Sequence, residues 1–224
     1  MKKRLKNKYR RLAISFFKIV LGVLFLFLGV ILSIVFLKQL SSFRIGSNES
    51  YFLLGVGVYA LIHFLFKKPI LLYIFGHELT HAISVFLCRG RVKSFRVSRR
   101  GGGVGSTKAN FFISLSPYLF PIYTILVVVV YFFLALFLDV SKYLAVFLFV
   151  VGLTWAFHIF LTLYFLGQGQ KDVVRSGRIF SLPLIYITNL LILLIILCCL
   201  SRQIALKDFF QLLIQEFQVF YQIF

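Results

Sequence analysis

Acidic side chains are scarce in this chain: six Asp or Glu stand against 25 Lys or Arg, a formal charge of +19. So basic a balance raises nucleic-acid binding, but no recognised binding motif accompanies it. The basic residues sit instead in short clusters between apolar runs, the pattern of loops held at a cytoplasmic membrane face by anionic lipid. No nucleic-acid partner is therefore expected. Cysteines number three, Cys88, Cys198 and Cys199, with no CxxC pair; all lie in or at the ends of apolar runs and read as packing thiols. Also missing are a phosphate loop of GxxxxGK[ST] spacing, a dinucleotide fingerprint, an internal repeat and a long linker, so residues 1–224 are expected to form a single domain.

Hydrocarbon is what the chain has in excess. It is 61% hydrophobic, with a mean hydropathy of +0.98, and a water-soluble domain rarely tolerates that composition. Its 224 residues leave room for about six crossings of about 20 residues each. Candidate spans fall at residues 12–37, 51–66, 69–88, 111–138, 143–166 and 179–200. The expected fold is an all-α integral membrane protein of about six transmembrane helices. Residues 1–66 supply N-terminal anchor helices, residues 69–200 the core, and residues 203–224 an interfacial tail, apolar with polar residues scattered through it. The basic start leads into an apolar run too long for a signal-peptide core and reads as a retained anchor.

Orientation carries a conflict. Residues 1–11 and residues 89–110 each hold seven Lys or Arg, and the positive-inside rule wants both clusters in the cytoplasm, yet three crossings would lie between them. Either one segment, such as the short YFLLGVGVYALIHFLF, fails to cross fully, or one cluster is held outside. Lys171, Arg175 and Arg178 follow the second cluster by two crossings and favour placing residues 89–110 and 167–178 on the cytoplasmic side. Between Val92 and Lys108, apolar Val92, Phe95 and Val97 alternate with basic and polar residues before three glycines. This suggests a small membrane-associated β-hairpin with a Gly-rich turn, a flexible basic loop being the alternative.

Within the apolar stretch from Pro69 to Cys88 stand His77, Glu78 and His81. Residues four apart share a helix face, so the two imidazoles converge on one point, with Glu78 beside them. This is the HExxH arrangement: two nitrogen ligands for Zn²⁺ and a carboxylate placed to take a proton from water attacking a carbonyl. With four His and six acids in the whole chain, the pattern arises by chance on the order of one time in a thousand. A charged group at mid-bilayer costs roughly 2.5 to 3.5 kcal/mol, and zinc ligation at roughly 10 to 16 kcal/mol is large enough to offset three such residues.

A catalytic zinc site takes three protein ligands, and two residues are candidates for the third. His158 lies about eight residues inside its span and His81 about seven from Cys88, which puts both roughly 10 to 12 Å deep at 1.5 Å per residue if those ends face the same side. Asp172 stands beside the Gly/Gln-rich break GQGQ, a segment able to line a cavity.

GHELTHA in an apolar helix, then a glycine-containing hairpin, then the proline-bearing span ISLSPYLFPIY, then a later acidic residue near a helix break, resembles the site-2-protease family of intramembrane zinc metallopeptidases. The resemblance covers roughly residues 69–180. It implies that His77, His81 and a later aspartate, here Asp172, hold zinc and that Glu78 is the base. That family's aspartate usually precedes glycine, whereas Val173 follows Asp172, so depth still argues for His158. The implied function is hydrolysis of peptide bonds in or beside transmembrane segments of a membrane-protein substrate, in a bacterial inner membrane. An exposed hairpin strand, Gln168, Gln170 and Asn110 are candidate substrate contacts; Asn110 equally suits a helix cap. No PDZ-like insertion is present. The rival readings are a metal transporter or sensor, which usually shows paired polar positions and a repeat, and an inactive protease-like scaffold.

Overall fold

The computed structural model describes residues 2–41, 43–201 and 203–223; the side chains of residues 2–8, 10, 11 and 223, with most of the basic N-terminal cluster, lie outside the described ones. In chain order the elements are α1 (Lys2–Ser41), α2 (Ser47–Leu65), α3 (Ile70–Leu87), β1 (Val92–Ser98), β2 (Gly101–Ser106), α4 (Phe111–Leu119), α5 (Ile122–Ala135), α6 (Leu144–Gly167), α7 (Lys171–Ser176), α8 (Arg178–Leu200) and α9 (Leu206–Ile223). They divide into two compact units, one of Met1–Arg44 with Lys171–Phe224 and one of Ile45–Gln170.

The described residues are mostly helical with a small two-stranded antiparallel sheet, consistent with an all-α membrane protein, but they do not give the six spans expected. Among the described residues, four helices are long and apolar enough to cross a bilayer: Leu12–Ser41, Ile70–Leu87, Ser141–Gly167 and Arg178–Leu200. The pair α4 and α5, bent by 69°, raises the count to five if it acts as one span. The expected span at 51–66 is lost because α2 starts in polar Ser47–Ser50 and carries glycines, a tyrosine and His63 among its apolar residues. The span at 111–138 breaks because Pro121 cannot donate a backbone hydrogen bond and forces the residue before it, Phe120, into an extended conformation (φ −112°, ψ 118°).

In the Ile45–Gln170 unit α2 lies along α6. Their backbones meet at two glycines: a β-carbon on Gly55 would strike the carbonyl of Phe149, and one on Gly152 would strike that of Phe52. Below this contact Tyr59, Tyr73, Ala156, Phe157 and Leu161 form a buried cluster, with Val56, Leu153 and Tyr123 packed on it. The hairpin lies on α3, where Phe95 meets Phe75 edge to face with ring centroids 6.1 Å apart. Its register pairs Phe95 with Val104, Arg96 with Gly103, Val97 with Gly102 and Ser98 with Gly101. The turn is therefore Arg99–Arg100 and not the glycine run, which forms β2; only Gly101, at φ 140°, needs glycine for its backbone.

In the other unit α1 packs against α8 and α9. Lys38 pairs with Glu216, the Gln39 amide donates to the Ala205 carbonyl (3.1 Å), and Ser33 and Tyr186 share a hydroxyl hydrogen bond of 2.6 Å. Lys18, the one cation inside the long apolar run, donates to the Ser176 carbonyl at 3.0 Å and so closes the C-terminus of α7. The tail forms α9, which leaves Phe210, Ile214, Phe217 and Tyr221 exposed at helical spacing.

Candidate metal centre

α3 carries the HExxH residues at its middle. The rings of His77 and His81 stand one helical turn apart, centroids 4.8 Å from each other and nearly perpendicular. Glu78 is 6% exposed and His81 9%. The one hydroxyl between them, on Thr80, bonds back to the Gly76 carbonyl at 2.8 Å and so asks nothing of the site.

His81 is held by a backbone acceptor that a proline releases. Its Nδ1 lies 2.7 Å from the Ile113 carbonyl oxygen, so the Nδ1–H tautomer, assigned from this contact, leaves Nε2 with its lone pair. In an uninterrupted helix the amide four residues on would take that carbonyl; here residue 117 is proline and has no N–H. The Ser116 hydroxyl supplies the second donor at 3.0 Å. An imidazole oriented through Nδ1 by a backbone carbonyl, with a second imidazole four residues away on the same helix face, is a donor set that suits Zn²⁺.

Aromatic residues wall the site. Tyr118, fully buried, meets His77 edge to face at 5.0 Å, and Tyr73 lies 5.8 Å from it on the helical turn before. A pocket beside His77 is lined by Gly76, Pro117, Phe120, Tyr123, Phe157 and His158 among others, so the proline-bearing break borders the site.

The other candidates divide. His158 lies on the pocket wall, but His77, His81 and His158 do not form a group whose ligand atoms all lie within 4.8 Å of one another. Asp172 sits half-buried in the first turn of α7, in the other unit. Asn110 caps α4, its carbonyl accepting from the Ile113 amide at 2.7 Å and its amide lying 3.5 Å from Cys88 Sγ. Gln168, exposed, closes the C-terminus of α6, and Gln170 follows it half-buried. Asp139, in the loop after α5, accepts two bonds from Ser141 that hold its carboxyl below the usual carboxylate range, and it takes no part in the site.

Sequence reasoning missed the Ile113 carbonyl and Tyr118. A backbone acceptor has no signature of its own; the available signal was Pro117, which strips the hydrogen-bond partner from the residue four before it. Compared with known protein families, with curated proteins and with solved structures, the chain matches none.

Proposed function

We propose that this protein is an intramembrane zinc metallopeptidase that hydrolyses peptide bonds in or beside transmembrane segments of other proteins, in a bacterial cytoplasmic membrane. The observation that carries the reading is an HExxH helix turn whose two imidazoles stand 4.8 Å apart between centroids, one of them oriented through Nδ1 by the Ile113 carbonyl. When bound, zinc supplies a Lewis acid and brings the pKa of a coordinated water to about 7. His77 and His81 are ligands. Glu78 accepts the proton of the water whose oxygen joins the scissile carbonyl carbon, then passes it to the leaving nitrogen as the C–N bond breaks, so the carboxylate ends each turnover as it began.

Asp172 is the third ligand in this reading. Its support is the resemblance, together with the failure of His158 to group with the paired imidazoles. Zinc measured by elemental analysis on purified full-length protein tests it: Asp172→Ala is expected to lose zinc and His158→Ala to retain it, and the reverse result moves the ligand to His158.

Pro117→Ala is a separate test of how His81 is held. Alanine restores an amide that competes for the Ile113 carbonyl, so zinc affinity is expected to fall about tenfold, the lower end for a lost outer-shell partner. The α4 helix should gain stability from the same change. Titration against a competing chelator, beside a thermal melt, reads these opposite shifts; unchanged affinity would show that the restored amide does not displace His81 from the Ile113 carbonyl.

A further inference from the structure

β2 lies against the turn of α3 that carries Glu78. A β-carbon built on Gly102 would stand 2.6 Å from Cγ and 2.7 Å from Oε1 of Glu78, and 2.9 Å from the Arg96 carbonyl oxygen. Heavy atoms do not pack that closely, so only a residue without a side chain brings the strand this near. Gly103, one residue on, would project its β-carbon into open space. The three consecutive glycines thus have separate explanations: Gly101 serves the backbone at φ 140°, Gly102 serves Glu78, and nothing within 4 Å requires Gly103 to be glycine. A run kept only for flexibility would show no such difference, and these residues are paired in a ladder. Gly102 is itself exposed while Glu78 is buried, so the strand roofs the carboxylate.

We infer that Gly102 is a positioning residue for Glu78: the bare strand backbone closes over the carboxylate and limits where it can point. The inference rests on the reading of Glu78 as general base. A base must come within about 2.6 to 3.2 Å of the proton it takes, and displacement by about 1 Å can cost on the order of 10²-fold in rate. An added methyl at Gly102 has to be relieved by moving the Glu78 side chain or lifting the hairpin, and either displaces the base from the strand above it.

The test compares Gly102→Ala with Gly103→Ala in purified full-length protein, substitutions of equal size in one strand. Labelling of Glu78 by a water-soluble carbodiimide and an amine, quantified by peptide mass spectrometry, is expected to speed up several-fold in Gly102→Ala and to stay within about twofold of wild type in Gly103→Ala. Zinc content should be unchanged in both. In a cleavage assay Gly102→Ala should lower kcat by about 10²-fold with KM within about twofold, as misplacement of a base requires. Equal labelling in all three proteins, equal kcat loss in the two variants, or a loss confined to KM overturns the inference. If Gly102→Ala folds poorly, adding Glu78→Asp, which shortens the side chain by one methylene, is expected to restore the yield; failure to do so counts against the contact. Absence of Glu78-dependent cleavage in wild type would instead sink the peptidase reading, while the labelling contrast would still decide the role of Gly102.

Discussion

Glu78→Gln is expected to retain zinc and fold and to lose peptide-bond cleavage by about 10²- to 10⁴-fold in kcat, the range that general acid–base catalysis contributes. Glutamine keeps the length and nearly the shape of the side chain, so it still fits under the Gly102 backbone and within a site where Glu78 is 6% exposed. What it cannot do is accept a proton at neutral pH. Neither imidazole can replace it, because both are committed as ligands in the proposed site and His81 Nδ1 is engaged with the Ile113 carbonyl. KM should change little, since the carboxylate acts on water and not on the remote parts of the substrate. Reconstituted protein and a transmembrane-peptide substrate, with zinc determined on the same preparation, separate the outcomes. Retained zinc with lost turnover supports the mechanism, and full turnover in the variant defeats it. Retained zinc with no turnover even in wild type points to a transporter, a sensor or an inactive scaffold.

How much of this is legible in the sequence depends on the range of the signal. His77, Glu78 and His81 could be read because four-residue spacing on a helix is a local rule, and α3 follows it. The hairpin was legible from alternation, but not its turn. A run of glycines attracts a turn assignment, whereas cross-strand pairing put Gly101, Gly102 and Gly103 in β2 and left Arg99 and Arg100 to turn the chain. Counting spans by apolar runs failed at α2: residues 51–66 are apolar on average, but the helix that contains them begins in polar Ser47, Asn48, Glu49 and Ser50, which leaves too short an apolar stretch. Among the described residues only Leu12–Ser41 and Ile70–Leu87 are long and apolar enough to cross before residues 89–110, which removes the third crossing on which the charge conflict rested. The Ile113 carbonyl and the Gly102 contact depend on residues 32 and 24 positions from their partners. No local pattern encodes such pairs.

The largest loss of stability is expected from Gly152→Leu, at the crossing of α2 and α6. Gly152 and Gly55 let two helix backbones touch: each lacks the atom that would collide with a carbonyl of the opposite helix, at Phe52 and Phe149 respectively. Close approach of this kind is how helices gain dispersion contacts where no hydrophobic force separates lipid from protein. The obstacle to a larger residue is backbone, which cannot swing aside as a side chain does. Even Gly152→Ala should therefore cost about 1 to 3 kcal/mol, and leucine more than that. Gly57, on α2 with open space around it, is the matched control: Gly57→Ala should be neutral or stabilise by up to about 1 kcal/mol through helix propensity. Thermal unfolding in detergent reads both. The damage should also reach the proposed metal site by a traceable route, because α6 carries Phe157, which packs on Tyr73 of α3 at 6.3 Å between centroids and lines the pocket beside His77. Gly152→Leu is thus expected to lower the melting temperature first and zinc retention with it, in contrast to Glu78→Gln, which should leave both in place; equal melting temperatures for Gly152→Leu and Gly57→Ala would show that the helices do not meet at these glycines.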